Sequence, residues 1–532
     1  MNSKQYILVA ILVFFPFIKG GLALSQITTI ISVLICLWAV FTVRNAIRKR
    51  DKHLLFLIPC LSIGLVSVLA TLNPSYRQLN INKLNNSNLE YLLLTEKNSK
   101  KVDEIRKNIK NIILTNEREP YLSLNIFYNL GNIIKYNFDD IVSPATEYLK
   151  GFEKQMKNSF SKWQPTTIYG NLEGLLSCIK FISYIAFFYL VYGTFNKRRE
   201  IFTAIEIIFV GGVILAIIGI FQKAYLSDYL GFNKIIGIWE PPEPRYYYST
   251  FTYKNHWSCF ALLVVFLGLG VLYRYIKNIN YYSFRSKLIP VLVLSITLVA
   301  ISIFHSGSRS GIVIFLIIFQ LYIFIHRKPI LAFCTRYKII SLASASFIFL
   351  FFLFMPSFLS KSTVQEMKNN TNILFQNFTH GEYPLRFHLW SDLCNQIQTH
   401  TFWGLGYNSY QAVNPIYQSQ EVFSMRQVGL EAAHSDYTPL INHGHNDLLE
   451  FFSEFGWFGF VFSVLPMTLI LLRGILFSQS YFTRSILLGS LCYLAYSVID
   501  FPQRTPACLL TMLGVSALAL KYSEVSTRKS LS

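Results

Sequence analysis

Apolar residues in this chain gather into runs long enough to cross a bilayer, and that clustering limits the fold more than any other feature. About 20 consecutive apolar residues suffice for a span, and 52% of the 532 residues are hydrophobic while 14% are charged. The pattern predicts an all-α, polytopic transmembrane helical bundle of about twelve spans. The runs are Tyr6 to Leu24, Ile27 to Val43, Leu54 to Leu72, Gly174 to Gly193, Ile201 to Gln222 and Trp257 to Ile276. They continue with Leu288 to His305, Gly311 to His326, Ile339 to Met355, Asp447 to Leu472, Ser485 to Ile499 and Ala507 to Leu520.

Positive charge in short loops is retained on the cytoplasmic side. Arg44 and Arg48 to Arg50 follow the second run, Lys197 to Arg199 the fourth, Arg285 and Lys287 the sixth, and Arg327, Lys328, Arg336 and Lys338 the eighth. This places both termini in the cytoplasm of a multi-pass membrane protein. The net charge of +20 then follows from topology and anionic headgroups, and no nucleic acid partner is expected. The first apolar run is read as a span, since a second follows at once and no small-residue cleavage site stands out. Cys394 is the one cysteine of eight in a large outer loop, and no CxxC or disulfide framework appears.

Two segments interrupt the hydropathy pattern, and the orientation puts both on the outer face. The expected organisation is therefore 1–72, the first three helices; 73–173, an outer insert; 174–355, helices four to nine; 356–446, a second outer segment where function is to be sought; and 447–532, the last three helices with a cytoplasmic tail. In the insert, Ile105, Ile109, Ile112 and Ile113 recur at helical spacing, as in a small helical packing element. The second segment reads Pro-Leu-Arg-Phe-His-Leu-Trp from Pro384, with proline suited to a first helical turn. Arg386 and Trp390 then share one helix face, and Gly404 to Tyr407 reads as a turn.

Groups able to do chemistry collect where such segments meet apolar helices, a costly place for them unless something polar is handled there. The densest stretch is His443 to Gly459, carrying His443, His445, Asn446, Asp447 and Glu450 at one helix entrance. An imidazole titrates near neutrality and can take a proton from a sugar hydroxyl, with Asp447 or Glu450 to orient or tune it. Gly456 and Gly459 further along are costly in an isolated helix, so close helix approach is their expected reason. Arg309, in His-Ser-Gly-Ser-Arg-Ser-Gly from His305, breaks the positive-inside pattern. Ser306, Ser308, Ser310 and the flanking glycines there could cradle an oxyanion near a helix start. Lys254, Asn255 and His256 extend a polar surface at the outer end of the sixth span. Taken singly, Lys254, Asn255 and His256 read as capping or interfacial residues before they read as ligands, and Arg309 reads equally as a snorkelling arginine. Two guanidinium groups together suit a diphosphate, whose paired oxygens they meet bidentately. No His-x-x-x-His pair or grouped acidic ligand set is present, so neither a metal nor a cofactor is expected.

These residues resemble the O-antigen ligase and O-antigen polymerase family of bacterial membrane glycosyltransferases. The family signature, His then Asn, Ser or Gln, nine residues, then Gly-x-x-Gly, appears as His445, Asn446, Asp447 to Phe455, Gly456 and Gly459. Ser306 to Arg309, the Arg-x-x-x-Trp and Gly-x-Gly pattern from Arg386 to Gly406, and Asn255-His256 before a span also look like the family. The likeness covers roughly Ser249 to Leu472, and the 73–173 insert is larger than a minimal member needs.

The resemblance implies inverting transfer of a glycan from undecaprenyl diphosphate to an acceptor hydroxyl on the periplasmic side, in lipopolysaccharide or surface polysaccharide biosynthesis. Arg309 and Arg386 would hold the diphosphate, and His445 would orient or deprotonate the acceptor; Asn446, Lys254, Asn255, His256 and Trp390 would bind substrate. The partners implied are the lipid-linked donor, the bilayer, and lipid A core, a growing glycan or a protein as acceptor, which separates ligase, polymerase and oligosaccharyltransferase. A transporter of lipid-linked glycans is the rival from another class, but its polar residues gather near the midplane, whereas here they gather at outer span ends. An inactive scaffold would keep the helices and tolerate replacement of His445.

Overall fold

The computed structural model describes residues 1–22, 25–48, 52–72, 171–223, 234–236, 238–240, 246–277, 288–336, 385–399 and 443–531, with scattered positions between 401 and 441. The described residues are helical, with two isolated bridges, Ile235 to Trp239 and Tyr248 to Phe251, and no strand. The expected span Ile339 to Met355, the helical stretch near Val102 to Leu114 and most of the insert lie outside them. The helices are α1 (Ser3–Phe17), α2 (Ser25–Arg48), α3 (Ile58–Leu72), α4 (Asn171–Thr194), α5 (Arg198–Phe221), α6 (Lys254–Lys277), α7 (Ile289–His305) and α8 (Arg309–Ile325). They continue with α9 (Arg327–Arg336), α10 (Leu385–Thr399), α11 (Asp447–Gly459), α12 (Leu465–Phe477), α13 (Tyr481–Ser497) and α14 (Pro506–Leu531). A π-helical segment, Phe460–Val464, joins α11 to α12.

Five helical stretches among the described residues are long and apolar enough to cross a membrane: Ile27–Arg44, Arg198–Phe221, Lys254–Lys277, Asp447–Phe477 and Pro506–Thr527. Shorter apolar helices include Ser3–Phe17, Ile289–His305 and Arg309–Ile325. The first apolar run does not stay helical to Leu24. Its helix stops at Phe17, because Lys19, Gly20 and Gly21 take left-handed φ values of 58°, 66° and 86°.

Local chemistry sets the helix starts. Asn2 and Gln5 form a reciprocal capping box at α1, with Gln5 N donating to Asn2 Oδ1 at 3.0 Å and Asn2 N to Gln5 Oε1 at 2.8 Å. Ser308, Asn446 and Ser480 cap α8, α11 and α13 by each accepting from the backbone amide three residues on.

The chain divides into two compact units, each treated on its own. The first comprises 1–56, 183–376 and 467–532. Its centre is α6, buried from Asn255 to Leu267 and packed by α13, α7, α5, α14 and α8. Between apolar helices in lipid, close backbone approach replaces the hydrophobic effect as the source of attraction. Gly212 provides it on α5, since a Cβ there would stand 2.6 Å from Val264. Polar bonds tie the ends of this unit together. Gln5 Nε2 donates to Glu200 at 2.8 Å, the Tyr192 hydroxyl to Glu524 at 2.8 Å, and Arg198 to the Ser526 carbonyl at 2.6 Å. Exposed apolar side chains such as Ile30, Leu34 and Phe41 on α2 and Val313 and Ile317 on α8 face outward, as lipid contact requires.

The second unit comprises 57–182 and 377–466. Here α10 packs on α11, and α3 packs on α11 and the π-helical segment. Phe181 lies among Tyr407, Phe451 and Phe455, with ring centroids 5.3, 5.9 and 5.9 Å away.

Candidate functional site

In the first unit the Ser-Gly-Ser-Arg sequence forms the turn between α7 and α8, with Gly307 at φ 71°. The two hydroxyls face inward. Ser308 Oγ accepts from Gly311 N at 3.3 Å and lies 2.6 Å from the Tyr496 hydroxyl. Ser306 Oγ donates to the Ile303 carbonyl at 2.7 Å and is 2.9 Å from Ser258 Oγ. Both serines are buried, so their hydroxyls are committed to folding the turn and do not form the outward oxyanion cradle expected for them. Arg309, the first residue of α8, is exposed. A cation there adds to the positive end of the helix dipole, so the position favours an anion over any other ligand.

Lys254, Asn255 and His256 open α6, and the structure separates their roles. Lys254 is half-exposed, with its ammonium 5.6 Å from the centre of the Tyr246 ring. Asn255 and His256 are buried. Asn255 Nδ2 donates to Asp500 Oδ2 at 2.6 Å and to the Tyr253 hydroxyl at 2.9 Å, and His256 Nδ1 lies 2.6 Å from Thr505 Oγ1. The ring of Tyr253 stacks on Phe501. These contacts clamp the start of α6 to the turn between α13 and α14. Asp500, Tyr496 and Thr505 escaped the sequence reading, although a carboxylate ending an apolar run, as Ile499-Asp500 does, is a signal that could have found Asp500.

In the second unit α10 and α11 carry the remaining candidates. Trp390 Nε1 donates to the His445 carbonyl at 3.3 Å, which joins the helix bearing Arg386 to the His445 turn. Arg386 stands one turn before Trp390, and Phe387 packs on the same indole at 5.3 Å. Arg386 and His445 are both half-exposed. His445 takes a left-handed φ of 52°, a strained state for a residue with a side chain, which persists only where its surroundings over-determine it. Asn446 is the N-cap of α11, accepting from Leu449 N at 3.0 Å. Glu450, 1% exposed, turns back to the same loop: its carboxylate accepts from Gly444 N at 2.5 Å and from His443 Nδ1 at 3.3 Å.

A polar seam runs along α10, towards Ser419 on one side and towards α11 on the other. Asp392 Oδ2 accepts from the Ser419 amide at 3.0 Å and from its hydroxyl at 3.2 Å, and Gln396 donates to Ser453 at 2.5 Å. Burial holds the Asp392 carboxyl above its ordinary range, with the Ser419 bonds opposing. Burial, then the charges of Glu450 and Asp392, push the Tyr410 phenol well above its ordinary value. The sequence reading missed this seam, although Leu389, Asp392, Leu393 and Gln396 recur at the spacing of one buried helix face.

The two glycines of α11 turn out to have different reasons. Gly456 has φ 59° and ψ −164°, which breaks the helix. The segment from Thr401 to Gly406 fits into the break: Trp457 N donates to the Thr401 carbonyl at 2.9 Å, Phe458 N to that of Phe402 at 3.1 Å, and Gly406 N to that of Glu454 at 2.9 Å. A Cβ on Gly456 would fall on the Phe402 carbonyl, and one on Gly404, at φ 72°, on the Glu454 backbone. Close approach is thus confirmed in kind and corrected in partner, because a loop rather than a second helix lies against Gly456. At Gly459 an added Cβ would meet Phe455 of its own helix.

Among the described residues no group of three or more His, Cys, Asp or Glu gathers as a metal site would. Residues 291–464 match a protein family described as O-antigen ligase. The matched segment contains Arg309, Arg386, Trp390, His445, Asn446 and both glycines of α11, and it leaves Lys254, Asn255 and His256 outside. No curated protein matches the chain.

Proposed function

Starting from a chain whose residues 291–464 carry an O-antigen ligase family domain, we infer that this multi-pass membrane protein is an inverting, metal-independent glycosyltransferase. It moves a glycan from undecaprenyl diphosphate to an acceptor hydroxyl, and its default reading is a ligase of lipopolysaccharide or surface polysaccharide biosynthesis. The reaction takes place at the periplasmic face of the inner membrane, where segments 73–173 and 356–446 lie, with both termini in the cytoplasm.

One observation carries this reading. The indole of Trp390 holds the carbonyl of His445, so the helix with Arg386 and the turn with the histidine form one piece of structure. The acceptor hydroxyl attacks the anomeric carbon from the face opposite the diphosphate; the new glycosidic bond forms as the bond to the diphosphate oxygen breaks. His445 orients that hydroxyl and takes its proton. Negative charge grows on the departing diphosphate, and in the second unit Arg386 balances it through charge-assisted bonds, with Asn446 and Trp390 shaping the turn that carries His445. The resemblance gives Arg309 the same diphosphate-holding role, and at the start of α8 it adds the field of the helix terminus to its own charge. Lys254, Asn255 and His256 are the substrate-binding residues that the resemblance implies in the first unit, Lys254 by its charge and the other two by fixing the start of α6.

The test is a gel separation of surface and lipid-linked glycans from a strain lacking the protein, complemented with the intact chain or with His445→Ala, Arg309→Ala or Arg386→Ala. The intact chain restores transfer, and each variant fails while remaining inserted and folded. Long chains stranded on the carrier identify a ligase, single repeats a polymerase, and an unchanged glycan profile with lost protein glycosylation an oligosaccharyltransferase. Normal transfer by all three variants refutes the assignment.

A further inference from the structure

The loop from His443 to Asn446 is held from several sides, and one of its holders, Glu450, takes no part in the transfer step proposed above. Glu450 sits in the first turn of α11 with its carboxylate 1% exposed. Its Oε1 accepts from the Gly444 amide at 2.5 Å and its Oε2 from His443 Nδ1 at 3.3 Å, so it grips the two residues immediately before His445. Gly444 is pressed into place from the other side: a Cβ there would run into Leu393 of α10 and come within 3.3 Å of the Tyr410 ring. Following it, the Trp390 indole fixes the His445 carbonyl and the Asn446 cap fixes the chain's entry into α11. The left-handed φ of His445 is the conformation that these contacts impose, and it would relax to an ordinary one if the grip on Gly444 were lost.

We propose that Glu450 is a positioning residue, which sets the direction of the His445 side chain by holding the Gly444 amide and the His443 ring. In its transfer arm this rests on the function proposed above. The role is one of reach rather than charge, which separates it from a carboxylate that tunes a histidine electrostatically. Glu450→Asp keeps the charge but falls one methylene short of the Gly444 amide. Glu450→Gln loses the charge but keeps an oxygen that can accept from Gly444 N, and its amide can donate to His443 in the other tautomer.

The experiment reads the reaction of individual histidines with diethyl pyrocarbonate in the full-length protein in detergent, by peptide mass spectrometry, alongside transfer kinetics. Buried His326, 1% exposed, reports whether the protein is folded. Loss of a charge-assisted bond shifts the turn's population by about tenfold or more. Glu450→Asp should therefore raise the His445 reaction rate several-fold and lower kcat by about tenfold with the donor KM unchanged, while His326 stays protected. Glu450→Gln should return both readouts towards wild type. Wild-type behaviour of Glu450→Asp, a greater loss in Gln than in Asp, or His326 exposed in both variants would each overturn the proposal. If His445→Ala transfers normally, the function proposed above fails while the reactivity readout still decides the role of Glu450.

Discussion

Replacing Gly456 with alanine strikes the break in α11 directly. With φ 59° and ψ −164° the residue occupies a region essentially confined to glycine, and a side chain there costs on the order of 1–3 kcal/mol. The new Cβ would also fall on the Phe402 carbonyl, so the strain cannot be absorbed in place. Relief requires withdrawing the Thr401 to Gly406 segment, which gives up three backbone hydrogen bonds worth about 0.5–1.5 kcal/mol each. Either route costs about 3 kcal/mol, roughly a hundredfold in the population of the closed junction. Tryptophan fluorescence during thermal unfolding in detergent is the assay, because Trp403 packs on Phe458 and Trp457 on Phe452 at this junction. Gly193→Ala in α4 is the control: its Cβ meets no atom within 4 Å, and helix propensity gives a gain of up to about 1 kcal/mol. Gly456→Ala should unfold well below wild type with altered emission before unfolding, and Gly193→Ala at or above it. Wild-type stability and emission for Gly456→Ala would refute the account of a break stabilised by the loop.

Ser308→Ala removes both the cap of α8 and the partner of Tyr496, so it should cost about 1–2 kcal/mol. A double-mutant cycle with Tyr496→Phe should show coupling of about 1 kcal/mol in thermal unfolding, and strict additivity would show that the 2.6 Å contact contributes nothing. Asp392 gives a pH dependence of definite sign. Its folded pKa is raised above the ordinary 3.8, chiefly by burial, so its contribution to stability is fully present below that ordinary value and is lost as pH rises through the raised one. Wild type should therefore lose stability over that interval and Asp392→Asn should not; equal slopes in acid-range melts would contradict the assignment.

The spanning helices were legible because an apolar run long enough to cross a bilayer has few other fates; α10, in the polar segment, was legible instead from Pro384 and the spacing of Arg386 and Trp390. Their ends were less so. At α1 the run continues past Phe17, but Gly20 and Gly21 adopt conformations that hydropathy does not register. The entrance of α11 could be read closely, since Asn446 and Asp447 are a cap and a first-turn acid by local chemistry. The meaning of Gly456 could not, because the groups that satisfy the broken helix come from Thr401 to Gly406, far away in sequence. Asn255 and His256 were read as surface groups because they stand at a span end. Their partners, Asp500 and Thr505, enter only when α13 and α14 fold back beside α6.

Within each unit separately, the charged groups singled out at the helix entrances and turns sort by sign, although Glu240 and Glu421 are exposed elsewhere. Lys254, Arg309, Arg386 and His445 are exposed or half-exposed, whereas Asp392, Asp447, Glu450, Glu454 and Asp500 are buried at 4% exposure or less. Asp392 and Glu450 are met by backbone amides, and Asp500 by the side-chain amide of Asn255. A carboxylate left at the surface beside these cations would pair with them and repel an incoming anion. Buried, these acids act as acceptors that fix loops, and the turns they hold present cations and an imidazole. That division suits the proposed transfer from a diphosphate carrier: the charge developing on the leaving group would have to meet cations already in place, and the carboxylates serve better behind the loops than among the reacting atoms.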